Sequence, residues 1–179
     1  MTRRDEFKRE QRGVALAMLG ALVTSIIVLS VVAADRTAAS EPFAARLQSA
    51  IRADSFVVAW LAAAIANVAR LRFFSERDIA GSSAETESGE IRVAGAILQN
   101  TFEQVGLAIG THLIVAATFS RSTALVQALA GLFAIGRLLF WAGFNGGARG
   151  RAFGFALTFY PSVLALAASV TASVFGCAA

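Results

Sequence analysis

Four polar side chains stand in stretches that otherwise have the composition of membrane. Asn100 and Glu103 lie three residues apart in LQNTFEQ (Leu98 to Gln104), inside the apolar run IRVAGAILQNTFEQVGLAIGTHLIVAATFS. Arg137 lies within the next apolar run, and Arg151 opens the one after it. A lone charge at mid-membrane costs about 2.5–3.5 kcal/mol on insertion scales, so opposite charges at similar depth are expected to pair. These residue types predict a buried Glu103–Arg137 ion pair, within one chain or across a subunit interface. At a spacing of three residues, Asn100 shares the helix face of Glu103 and adds its amide to the group. Arg149 and Arg151 are expected to rim a pocket above this cluster, where guanidinium groups suit a ligand that carries a carboxylate. The alternative is a purely structural cluster, because polar side chains fasten membrane helices together at about 0.6 kcal/mol each.

The elements that must position these residues are membrane helices. Only 16% of the 179 residues are charged and 56% are hydrophobic, with a mean hydropathy of +0.64. Soluble domains carry about 25% charged residues. Five apolar segments can be drawn: Gly13 to Ala34, Ser55 to Phe74, Ile91 to Phe119, Ser122 to Phe144 and Ala152 to Phe175. The first, at a rise of 1.5 Å per residue, is about 33 Å long and spans a hydrocarbon core of about 30 Å. AADRTAAS after it leaves a cleaved signal peptide as the alternative. Phe43, Leu47 and Ile51 suggest a short interfacial helix after Pro42. Asp78 to Glu90 is polar and acidic and is expected to be a mobile loop. Phe144 to Arg151 is expected to be a tight turn, and Pro161 to kink the last helix. Gly106 and Gly110 permit a close helix contact.

Basic residues orient the chain. Arg3, Arg4, Lys8, Arg9, Arg12, Arg70, Arg72, Arg77, Arg92, Arg149 and Arg151 fall on one side; Arg36, Arg46, Arg52 and Arg121 fall on the other. The positive-inside rule then puts the N-terminus in the cytoplasm. On this reading residues 1–12 form a basic cytoplasmic N-terminus, 13–34 one transmembrane helix and 55–176 a four-helix membrane domain. The basic pI of about 10.5 reflects topology and not nucleic-acid binding. Counted from the cytoplasmic side, Asn100 lies about 13 Å deep, Glu103 about 18 Å and Arg137 about 10 Å. One lysine against fifteen arginines, with abundant alanine, suggests a bacterial inner-membrane protein. Cys177 and His112 are the single cysteine and histidine, which excludes an intrachain disulfide and any cysteine- or histidine-cluster metal site. His112 is expected to be hydrogen-bonded against a neighbouring helix.

In three places the chain resembles the MAPEG superfamily, the membrane-associated proteins of eicosanoid and glutathione metabolism. Asn100-Thr101-Phe102-Glu103 resembles the family's N-x-x-E motif. RLLFWAGF (Arg137 to Phe144) resembles its R-x-x-Y-x-x-G-Y pattern, and RGRAFGFALTFYP (Arg149 to Pro161) the Arg-led start of its last helix. The resemblance covers roughly Ser55 to Phe175. It implies an all-α integral membrane four-helix bundle, here with one extra N-terminal helix. It also implies a homotrimer with glutathione sites between protomers. By the same resemblance Arg151 stabilises the glutathione thiolate, the nucleophilic form of a thiol, and Asn100, Glu103, Arg137, Gln99 and Arg92 bind or brace the glutathione. The chain departs from the pattern at Val93 and Ala96, where arginines are usual, and at Phe140 and Phe144, where tyrosines are usual.

Two functions from different classes follow. One is a glutathione-dependent transferase or peroxidase acting on a lipophilic substrate at protomer interfaces. The other is a non-catalytic trimeric protein that binds lipid or acts as a scaffold, which the two phenylalanines favour. A proton-coupled carrier using Glu103 is weaker, for want of an inverted repeat or a second acid in the membrane.

Overall fold

The computed structural model describes residues 3–35, 37, 39–79, 81 and 88–176. Cys177, Arg36 and most of the acidic connection before Ser88 lie outside the described residues. Five helices follow in order: α1 (Arg3–Ala34), α2 (Phe43–Phe73), α3 (Gly89–Thr118), α4 (Thr123–Gly143) and α5 (Gly147–Phe175), with a 3-10 turn at Phe144–Gly146 between the last two. No strand occurs among the described residues.

The ends of these helices have local causes. Pro42 precedes α2 at the N-cap, where its missing N–H removes no helix bond. Ser88 caps α3 by accepting the Ile91 N–H at 3.3 Å. Gly176 ends α5 with φ of 66°, a left-handed conformation that glycine adopts without strain. Pro161 sits fully buried inside α5, which continues through it.

The principal packings are α4 on α5, α2 on α3 and α1 on α5. Val57, Val105, Val115, Leu129 and Phe133 join α2, α3 and α4 in one core. Ala21, Leu132, Ala156 and Leu157 form a second core that holds α1 against α4 and α5. In α1 only Ala21 and Ser25 are buried, while Leu16, Ile27 and Val31 stay more than half exposed. A helix apolar on every side is at home in lipid.

One expectation changes. The stretch around Phe43, Leu47 and Ile51 is no separate interfacial helix: it forms the first turns of α2, because neither proline nor glycine interrupts the chain between Pro42 and Phe73. The five apolar segments read from the sequence correspond to the five helices. Three stretches are long and apolar enough to cross a membrane: Arg3–Ala34, Phe43–Phe73 and Thr123–Phe175, which joins α4 and α5. α3 is not among them. It carries Gln99, Asn100, Glu103, Gln104 and His112, and it lies against α2, α4 and α5.

The seam between α4 and α5 is made by glycines. A Cβ on Gly143 would strike the Gly150 carbonyl, and one on Gly154 would strike the backbone of Phe140. A Cβ on Gly136 would come within 2.6 Å of Thr158 Cγ2 and 3.0 Å of Gly154 O. Gly106 and Gly110, by contrast, have nothing within 4 Å. Their side of α3 faces away from the bundle, so the close contact expected there is not made within the chain.

Candidate functional site

Arg137 is the centre of the site. It is 1% exposed, and two of its nitrogens are satisfied by neutral groups. Nη1 donates to Asn100 Oδ1 at 2.8 Å, and Nη2 donates to Thr158 Oγ1 at 2.8 Å. The guanidinium also lies 4.4 Å from the Phe140 ring centroid, a cation–π distance. One arginine thereby ties α3, α4 and α5 together. Its Nε has no partner among the described residues.

The expected Glu103–Arg137 ion pair does not form within the chain. Glu103 is exposed and accepts the Gln99 amide at 2.9 Å, one helical turn away on the same outer face. The reason lies in the turn of the helix: residues three apart differ by about 60° around an α-helix. Asn100 falls on the inner side of that angle and Glu103 on the outer side.

Above Arg137 lies a cavity of about 390 Å³, lined among others by Asn100 of α3, Phe140 and Phe144 of α4, and Arg151 and Phe155 of α5. Val14 and Met18 of α1 close one side of it. Arg151 is half-buried, with its guanidinium 4.7 Å from the Phe144 ring centroid. Phe140 and Phe144 meet edge to face at 5.5 Å. Each phenylalanine thus carries one arginine on its ring: Arg137 on Phe140, Arg151 on Phe144. The arrangement offers one accessible cation and one amide at the end of a largely aromatic slot.

Of the residues singled out from sequence, Asn100, Arg137 and Arg151 come together. Gln99 and Glu103 lie on the outer face of α3, and Arg92 is exposed near its start; none of the three lines the cavity. Thr158, an Arg137 partner, was missed, since a threonine inside an apolar helix usually bonds only its own backbone.

A second polar group was missed. Asp54 and His112 are both buried between α2 and α3, and His112 Nδ1 donates to Asp54 Oδ1 at 2.6 Å. The hydrogen bond expected of His112 is there, and its partner is an acid inside α2. A second span counted from Ser55 begins one residue after Asp54, so the apolar runs alone show no second intramembrane acid. No group of three or more histidine, cysteine, aspartate or glutamate side chains is placed to hold a metal among the described residues.

The MAPEG family model matches residues 53–171, from within α2 to near the end of α5, leaving α1 outside. No curated protein matches, and no solved structure matches.

Proposed function

The chain belongs to the MAPEG family, a membrane protein of the superfamily of glutathione and eicosanoid metabolism, and on that premise we propose that it is a glutathione-dependent transferase or peroxidase acting on a lipophilic substrate. The observation that carries this reading is the shared cavity of Arg151 and Asn100, with Phe140, Phe144 and Phe155 as its apolar lining. The polar end suits glutathione and the aromatic part suits a lipophilic partner.

The residues present fit glutathione in part. Arg151 supplies the cation that favours a thiolate or binds a carboxylate. The Asn100 amide, held by its bond to Arg137, is a fixed polar partner. A dicarboxylate needs a second cation, and the exposed Arg92 of a neighbouring protomer would supply it. Bound glutathione brings the thiol, whose ionised form is the nucleophile in conjugation or peroxide reduction. Arg151 keeps the negative charge at the cavity mouth, and Phe144 beneath it limits the directions in which its guanidinium can turn. Arg137 braces the floor and does not touch the ligand.

We propose a homotrimer for the same chain, in the inner membrane of a bacterium with the N-terminus in the cytoplasm. The outer face of α3 supports this: Gln99, Glu103, Gly106 and Gly110 all point away from the bundle. A polar face with small residues is costly against lipid and favourable against another helix.

Calorimetric titration with glutathione, together with conjugation of a generic aromatic electrophile, tests the reading. Binding is expected below millimolar glutathione, with turnover that falls about ten-fold or more in Arg151→Ala. Absence of binding at millimolar glutathione would overturn it. The second reading, a non-catalytic lipid-binding trimer, is favoured by the two phenylalanines in place of hydroxyl-bearing rings. Native mass spectrometry would then find a co-purifying lipid and no glutathione turnover.

A further inference from the structure

We infer that α1, which the family match leaves out, is part of the ligand site: it forms the outer wall of the Arg151 cavity, and Met18 sets how long a lipophilic body the cavity takes. The inference rests on the reading of that cavity as a ligand site. The cavity shows the connection directly, because Val14 and Met18 line it together with Arg151 and Asn100.

α1 is seated there by a continuous stripe. Glu10, Val14, Met18, Ala21 and Ser25 recur every three or four residues, which places them on one face of the helix. At the cytoplasmic end of the stripe, Glu10 Oε1 accepts the Arg149 backbone N–H at 3.1 Å. α5 has no side-chain cap of its own, so a carboxylate from α1 satisfies a free N–H at its amino end, where negative charge is also favoured by the helix dipole. Gly13 leaves room for Arg149, whose Cδ lies 2.6 Å from where a Cβ would sit. Further along, Ala21 and Ser25 are fully buried against the bundle, and a Cβ on Gly20 would lie 3.6 Å from Phe153. Val14 and Met18 occupy the middle of this fixed stripe.

The chemistry of the ligand follows from the order of the lining. Ala148, Arg151 and Phe155 succeed one another along α5 from its cytoplasmic end, facing Val14 and then Met18 on α1. When no glutathione is bound, an anionic head lies at Arg151 and an apolar body runs between Phe155 and Met18. Methionine is long and flexible and adapts to such a body. The class is an amphiphile with one carboxylate and an alkyl chain.

Photo-crosslinking tests this on the full chain in lipid nanodiscs. The probes are octanoic and hexadecanoic acids carrying a terminal alkyl diazirine, and the labelled peptides are read by mass spectrometry. Label is expected on both the Val14–Met18 and the Arg151–Phe155 peptides, reduced about five-fold or more by Arg151→Ala. Met18→Trp is expected to exclude the longer acid and keep the shorter one, while Met18→Ala keeps both. Glu10→Gln is expected to lower the α1 label and preserve the α5 label. Label on α5, competed by unlabelled acid, with none on α1 would overturn the inference and leave the site reading standing. Label on neither peptide above the Arg151→Ala level would remove the site reading and the inference with it. Equal chain-length limits in Met18→Trp and the parent chain would also overturn it.

Discussion

His112 Nδ1 lies 2.6 Å from Asp54 Oδ1, with both residues buried where α2 meets α3. Here a membrane helix places an acid where lipid or protein must surround it, and a histidine on the next helix satisfies one of its oxygens. Nε2 of the same ring has no partner among the described residues.

Removing one member of this pair leaves the other buried and unsatisfied, at about 1–3 kcal/mol. Asp54→Leu and His112→Leu are each expected to lower the thermal midpoint of the purified protein. The double substitution is expected to be less damaging than the sum of the two, since no polar group then remains to be satisfied. Thermal unfolding of the four proteins, taken as a double-mutant cycle, measures the coupling. Strict additivity would show that the two groups do not depend on one another.

Arg137 and Glu103 are expected to separate in their effects. Arg137→Met removes the bonds to Asn100 and Thr158 and leaves the interior of three helices without its link, at about 2–4 kcal/mol. Glu103→Gln keeps the bonds of Arg137 intact and is expected to change monomer stability by less than about 1 kcal/mol. If the proposed trimer forms, its effect should fall on assembly, read as a smaller trimer fraction in native mass spectrometry. Equal losses of monomer stability in the two variants would restore the ion pair that the geometry denies.

The glycines divide in the same way. Gly154→Ala drives a methyl group into the backbone of Phe140, and overpacking of this kind costs about 1–3 kcal/mol or more. Gly106→Ala meets nothing within the chain and should leave thermal stability unchanged. If α3 packs against its copies at this face, Gly106→Leu will weaken the trimer in crosslinking assays.

Asp78 gives a pH-dependent junction before α3. It accepts the Ser75 hydroxyl at 2.7 Å and the Ser88 N–H at 2.9 Å, and these bonds, the Ser75 hydroxyl foremost, hold its carboxyl below its ordinary value of 3.8. A depressed folded value means that the stabilisation is fully present above the ordinary carboxylate range. It is lost as pH falls through the lowered value. The protection of the first α3 amides, relative to free amides at the same pH, should hold from neutral pH down to that range and then fall. Asp78→Asn should show faster exchange already at neutral pH.

The long apolar runs made α3, α4 and α5 legible, with ends within a few residues except at the start of α5. There the glycine-rich turn is shorter than expected, and Arg149 and Arg151 are already helical. Asn100 beside Arg137 was also legible, because depth and polarity alone bring them together. The partner of Glu103 was not. Two residues three apart share a helix face only to within about 60°, and that angle decides between the interior and the outside. Asp54 escaped because the charged stretch before it resembled an interface, although nothing in the backbone ends the helix there. The role of α1 was beyond reach of any local pattern. Glu10 meets Arg149 across most of the length of the chain, and the stripe through Val14 and Met18 hides inside a helix that is apolar all round.

The glycine seam has a mechanical consequence. Where Gly143, Gly150 and Gly154 bring α4 and α5 together, no side chain remains to compress or swing aside. The hairpin that carries Arg137 and Arg151 therefore behaves as one stiff body. α1 touches the bundle along a single stripe and has lipid behind it. Selection of the ligand by size therefore falls to that stripe, through Val14 and Met18, while both arginines keep their places.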